Sequence, residues 1–335
     1  MGDSRFDSSL GRSILIGSET PAPPRRLGWR WRPAWRPRLP AWTASLPFHL
    51  LLFALTALST VTVGAEIALN TSRRLPAFDL DLSLALLRDL WHHPLRLALG
   101  VPFSCTLLGI LLAHELGHYL TCRYYGLRVS YPYFIPAPTL IGTLGAFIKI
   151  RSPIFNRCML FDVAVAGPLA GFVLAVPALA YSVLHSHLRV GSFPPGAITP
   201  GIPLLQSLLT HLLRPGVSPS QVALSPAGCA AWVGMFATAL NLLPMSQLDG
   251  GHILYATLGK RHRMLSRVFW LALLPLGYFS WPGWFVWAAM IGVIGIGHPP
   301  VLMPSDRLGR VRQSLACGAA VIFALTFMPT PFSVR

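Results

Sequence analysis

The chain has 335 residues, of which 53% are hydrophobic and 11% charged, with a formal net charge of +16. That charged fraction is less than half the roughly 25% of an ordinary soluble domain, which excludes water as the main solvent of the fold. In a soluble chain such a basic excess would suggest nucleic acid, but here the placement of the charges explains it and no nucleic-acid partner is expected.

Residues 1–44 are rich in Pro, Arg and Trp, with Arg25, Arg26, Trp29, Arg30, Trp31, Arg32, Trp35, Arg36 and Arg38 close together. Such a segment cannot bury a core and is expected to form a disordered basic tail, or to lie on anionic headgroups with its tryptophans in the interface. A cleaved signal peptide is not expected, because the apolar run begins late and no small-residue cleavage site is evident. An Arg-rich, acid-poor organellar transit peptide stays open.

Residues 45–335 are expected to form one transmembrane domain. Crossing a hydrocarbon core about 30 Å thick takes about 20 helical residues. Stretches of that kind lie near 46–68, 97–120, 158–184, 221–244, 264–280, 282–299 and 314–332. Trp281, Pro282 and Gly283 could mark a hairpin between two short spans or a kink, so the expected count is about six or seven. With a cytoplasmic N-terminus and alternating spans, most Lys and Arg fall in the tail and in the loops 121–157, 245–267 and 305–312. This is the positive-inside arrangement and supports that orientation, with the active-site end cytoplasmic; the membrane expected is a bacterial cell (inner) membrane.

Cysteines at 105, 122, 158, 229 and 317 form no C-x-x-C pair, so packing is expected rather than disulfides or metal ligation. The loop 185–220 is rich in Pro, Gly and Ser and falls below the usual domain size of about 50 residues, so no inserted peptide-binding domain is expected. Asp162 could cap the third span. Glu66, His185, His187 and His211 are expected in solvent.

The most informative segment runs from Leu111 to Leu120 and contains His114-Glu115-Leu116-Gly117-His118. On a helix, positions i and i+4 share a face, so both imidazoles can reach one ion with Glu115 beside a water bound to it. Zinc held in this way makes a water acidic near neutral pH, and a neighbouring carboxylate can move the proton to a leaving amine. Ionisable groups inside a span are costly, so three within five residues call for a compensating cation. A polar seam between helices is the plainer alternative.

A catalytic zinc takes three protein ligands and keeps one position open. The extended soluble pattern would need His at 124, where this chain has Tyr124. The candidate third ligand is Asp249, in Leu248-Asp249-Gly250-Gly251-His252, which emerges on the same side of the membrane as His118 in the topology above. Taken alone, Asp-Gly-Gly reads as a turn, and His252 is a rival ligand or a neighbour that orients one. Another divalent ion in place of zinc stays open.

The segment Gly142-Thr143-Leu144-Gly145-Ala146-Phe147 alternates loosely between prolines and reads as a short strand or re-entrant hairpin. A helical substrate hides its peptide bonds in its own hydrogen-bond ladder, so an exposed strand edge could take up an unwound stretch by β-augmentation. A purely structural hairpin is the alternative.

On three motifs the sequence resembles the site-2 protease family of intramembrane zinc metalloproteases. These are His114 to His118, Ala166-Gly167-Pro168-Leu169-Ala170-Gly171, and Asn241 to Gly250, within about residues 95–260. The resemblance implies an all-α polytopic membrane protein whose helices surround a three-helix metalloprotease core, with a short re-entrant β-hairpin. It implies one zinc ion on His114, His118 and Asp249, and Glu115 as the catalytic carboxylate. Asn241 would polarise the scissile carbonyl or position substrate, and Gly142 to Phe147 would bind substrate. The implied partners are a lipid bilayer and a transmembrane protein substrate; oligomeric state is not implied. Many members carry Asn where this chain has Gly171, and Gly167 with Gly171 reads as a small-xxx-small helix contact. A divalent-metal transporter or a catalytically idle membrane scaffold could use the same residues, though neither needs Glu115 beside two histidines.

Overall fold

The computed structural model describes residues 45–78, 88, 92–189, 196–298, 301–303 and 308–334. The expectation for the basic tail lies outside them. Residues Ala41–Arg335 form one compact unit.

The first long apolar run forms α1 (Leu46–Ser72). A 3₁₀ turn over Pro94–Gly100 then leads into α2 (Val101–Tyr124). The antiparallel hairpin of β1 (Tyr133–Pro136) and β2 (Thr143–Phe147) follows. Next comes α3 (Arg157–His185), whose N-cap Asn156 accepts a hydrogen bond from the backbone N–H of Met159 at 2.8 Å. These three helices, with the 3₁₀ turn joined to α2, are long and apolar enough to cross a membrane.

The loop expected at 185–220 is more ordered than its composition suggests. It carries β3 (His187–Leu188), β4 (Ile198–Pro200) and the amphipathic helix α4 (Leu204–Leu213), and is followed by β5 (Val222–Ala223), which pairs with β3. The remaining helices are α5 (Pro226–Asn241), α6 (Asp249–Leu258), α7 (His262–Phe279), α8 (Gly283–Ile294) and α9 (Arg310–Thr326). The last strand, β6 (Phe332–Val334), returns to pair with β4.

Six or seven full spans are therefore not seen among the described residues. The run at 221–244 gives up its first residues to β5, and α5 has 16 residues, about 24 Å of helix. Arg263 and Arg267 sit in the first two turns of α7, and Trp281 with Pro282 separates α7 from the 12-residue α8. The hairpin reading of that region is the one observed.

Helices α2, α3 and α5 pack closely on one another. Phe103, Leu107 and Ile110 from α2 meet Leu179 and Val183 from α3 and Trp232 and Met235 from α5 in one buried cluster. Between lipid-facing helices there is no water to expel, so association rests on close contact and polar links. The contact is close because Gly117 faces the backbone of α3: a Cβ there would lie 2.5 Å from the Ala166 carbonyl oxygen. Trp232 is 1% exposed and donates from Nε1 to the Gly201 carbonyl at 2.7 Å, tying α5 to the β4–β6 side.

Asp162 is not a cap. Its carboxylate receives both Nε and Nη2 of Arg312 at 2.8 and 2.7 Å, and the Tyr125 hydroxyl also donates to it. This joins α9 and the end of α2 to α3. Glu66, expected in solvent, is buried in α1. All five cysteines are free thiols; Cys122 and Cys229 are buried, whereas Cys105 and Cys317 are exposed and do not pack.

Arg312→Ala should strand a partly shielded carboxylate and lower stability by about 1–2 kcal/mol, between the values typical of exposed and buried pairs. Thermal unfolding in detergent checks this. Asp162→Asn combined with Arg312→Ala should recover part of the loss, because the uncompensated charge goes with it.

Candidate metal centre

His114 and His118 lie one turn apart on α2, and both are buried, at 6% and 7% exposure. Asp249 is the first residue of α6 and arrives from a distant part of the chain. Its Oδ2 lies 3.3 Å from Nε2 of each histidine, and the two Nε2 atoms are 3.1 Å apart. No other group of three His, Cys, Asp or Glu among the described residues could hold a metal ion.

The chain brings Asp249 there through a tight local path. Helix α5 ends at Asn241, Ser246 takes a positive φ of 58°, and α6 starts at Asp249. A Cβ on Gly250 would lie 2.0 Å from the Leu242 carbonyl oxygen, and one on Gly251 2.4 Å from that of Ser246. The two glycines let the helix start pack on the preceding backbone, so Asp-Gly-Gly opens a helix and is not a free turn.

The ring of His118 is oriented by its far nitrogen, which lies 2.7 Å from the Val163 carbonyl oxygen on α3. A carbonyl only accepts, so Nδ1 carries the proton and Nε2 turns a lone pair toward Asp249 and His114. Three Lewis-basic atoms then face one another in an apolar interior, an arrangement that needs a positive charge at its centre. Their separations of 3.1–3.3 Å fit a metal. Corners of a tetrahedron around an ion with bonds of about 2.0–2.1 Å lie about 3.3 Å apart.

Gly167 and Gly171 take a different part from the helix contact read in the sequence. A Cβ on Gly167 would lie 2.2 Å from Nε2 of His118, and one on Gly171 would lie 3.3 Å from Cβ and 3.4 Å from Nδ1 of His114. They leave room for the two imidazoles. The glycine that brings the helix backbones together is Gly117.

Glu115 is 5% exposed, and its carboxylate lies near the backbone N–H of Ile148, just past β2. The Asn241 side-chain nitrogen lies 3.2 Å from Nε2 of His114. His252 does not join the donor cluster; its Nδ1 lies 2.6 Å from Nε2 of His298.

Of the hairpin residues, Thr143 to Phe147 form β2, with Tyr133 opposite Phe147 and Phe134 opposite Ala146. Gly142 precedes the strand with φ +76°, and its carbonyl accepts from Ser59 Oγ on α1 at 2.6 Å. Helix α1 packs on β1, and among the described residues the other edge of β2 pairs with no strand. Leu144 is 68% exposed.

The Val163 carbonyl and the Ile148 N–H were invisible in the sequence because backbone groups carry no residue signature. Gly117 stood inside the His-Glu motif, and only the approach of α3 gives it meaning.

Gly167→Ala should push the His118 ring aside and reduce zinc to well below one per chain by elemental analysis. Gly171→Ala, whose methyl meets His114 at contact distance, should keep most of the zinc.

The family model of peptidase family M50 matches residues 102–280. The chain is 30% identical to the probable zinc metalloprotease EGY1, chloroplastic, of Arabidopsis thaliana, over 84% of this chain and 52% of that protein. It is 28% identical to the EGY1 protein of rice, Oryza sativa subsp. japonica, over 84% and 50%. To the probable zinc metalloprotease EGY2 of Arabidopsis thaliana it is 29% identical, over 84% and 48%. The chain thus spans about half the length of the curated relatives it matches. The matched region contains the two histidines, the glutamate and the aspartate described above, and zinc is the metal that both the family and these relatives imply. The chain is a member of peptidase family M50.

Proposed function

We propose that the chain is an intramembrane zinc endopeptidase that hydrolyses peptide bonds in or near transmembrane segments of other proteins, in regulated intramembrane proteolysis. The observation that carries this reading is the meeting of His114, His118 and Asp249 at 3.1–3.3 Å beside a buried glutamate, with the histidines and the glutamate on a helix long and apolar enough to cross a membrane.

His114, His118 and Asp249 would hold the zinc. In such a donor set zinc supplies Lewis acidity, polarising a carbonyl and making a water acidic. Glu115 takes the proton that water loses as its oxygen attacks the scissile carbonyl carbon. The same carboxylate returns a proton to the nitrogen as the C–N bond breaks. Asn241, beside His114, donates from its amide to the carbonyl oxygen as negative charge builds there, or fixes the position of the substrate.

The substrate segment reaches this point unwound. We assign Gly142 to Phe147 to its binding: an extended stretch laid along the unpaired edge of β2 regains the backbone hydrogen bonds lost from its helix. The nearness of the Ile148 N–H to Glu115, with the packing of β2 on α2, supports this assignment.

The catalytic unit in this reading is a transmembrane domain over 45–335, with a core of about 95–260 and a basic tail over 1–44. Its N-terminus and active-site end face the cytoplasm of a bacterial cell, as the distribution of Lys and Arg supports. The plant relatives are, by name, chloroplastic proteins.

Glu115→Gln should retain zinc and the fold but slow cleavage of a co-reconstituted single-span substrate by about 100-fold or more. Unchanged cleavage by that variant refutes the mechanism; metal flux into proteoliposomes retained by it favours transport. Asp249→Ala should reduce bound zinc well below one per chain, and full occupancy moves the third ligand elsewhere.

A further inference from the structure

A cavity of about 360 Å³ opens beside the start of α7, lined by Arg263, Arg267, Ile296, Gly297 and His298. That volume is at the lower end of the range of small-ligand sites. Arg263 and Arg267 are four residues apart on a helix and so lie on one face. Among the described residues neither forms an ion pair with a carboxylate. From Met245 to His298 the only acidic residue is Asp249, already engaged with His114 and His118, while Lys260, Arg261, Arg263 and Arg267 are all basic. Two guanidinium groups of like charge at one cavity mouth make a site for an anion, and their forked donors match phosphate oxygens in pairs.

The surroundings narrow the anion. Next to the two arginines on α7, Met264, Val268 and Leu271 are 63%, 55% and 53% exposed. A soluble phosphate has no use for that apolar flank, whereas an amphiphile lays its chains along it while its phosphate meets the arginines. We propose that this cavity binds the phosphate of an anionic phospholipid headgroup.

The back of the cavity leads toward the metal-ligand cluster. His298 is 7% exposed, its Nε2 lies 2.6 Å from Nδ1 of His252, and its ring stacks on Tyr255 with centroids 4.4 Å apart. His252 and Tyr255 both belong to α6, the helix whose first residue is Asp249. A headgroup held against His298 therefore bears on α6 through His252 and Tyr255.

The test is native mass spectrometry of the full zinc-loaded chain, released from detergent after exposure to an equal mixture of phosphatidylglycerol and phosphatidylcholine. Retention of phosphatidylglycerol should exceed that of phosphatidylcholine by about ten-fold, and Arg263→Gln with Arg267→Gln should abolish the preference. Zinc at one per chain reports an intact fold in each variant. Arg267→Gln alone serves if the double variant does not fold, and should lose most of the preference. Arg263→Lys with Arg267→Lys keeps the charge without the fork and should fall between. Equal retention of the two lipids by the unmodified chain, or an unchanged preference in folded Gln variants, overturns the proposal. Displacement of the lipid by inorganic phosphate at a matching concentration makes soluble phosphate the occupant and overturns the headgroup assignment. The readout is bound lipid, so it succeeds or fails independently of peptide cleavage.

Discussion

Three electron-pair donors aimed at a common point inside an apolar fold repel one another until a cation stands between them, and much of this structure follows from that requirement. The Val163 carbonyl, by accepting a hydrogen bond from Nδ1–H of His118, commits Nε2 to the cluster. The close approach of α3 at Gly117 brings that carbonyl within reach, and Gly167 leaves the space in which the ring sits. Small residues here serve two ends at once: one sets the distance between helices, and the others set the positions of ligand rings. Gly171, where the resembled family commonly has Asn, fits this division, since even a Cβ there would lie 3.3 Å from His114 Cβ, closer than ordinary contact.

The hairpin extends the same logic toward a substrate. Helix α1 holds β1 by packing and the start of β2 through the bond from Ser59 to Gly142. The end of β2 faces α2, with the Ile148 N–H near Glu115. The hairpin is thus tied to α1 while one edge of β2 pairs with no strand among the described residues. An edge left open in a water-soluble protein invites aggregation; in hydrocarbon its unpaired backbone groups would be costlier still, so such an edge has to line a polar cavity or take up another strand.

What could be read from residues alone was local geometry. The i, i+4 relation of His114 and His118 is a property of any helix, so their meeting was legible. The arrival of Asp249 was legible only through topology, because its path from Asn241 depends on the close packing of Gly250 and Gly251 on backbone. Long-range partners escaped. Asp162 looked like a cap since nothing in the sequence ties it to Arg312, 150 positions away. The loop over 185–220 looked irregular because strands of two or three residues carry no periodic signal. Among the described residues, spans beyond α3 are not confirmed for a related reason: apolar composition does not reveal where a helix stops, and α5 and α8 stop early.

The pairing of β4 with β6 has a bearing on biogenesis. It joins positions such as Thr199 and Ser333, which are 134 residues apart, and packs Phe332 against Trp232. Contacts so distant in the chain are slow to close. Residues 332–334 must also have been synthesised and cleared the ribosome before they can clasp the earlier loop. The helices bearing His114, His118 and Asp249 are therefore made, and free to enter the membrane, before the clasp that secures the opposite face of α5 can exist.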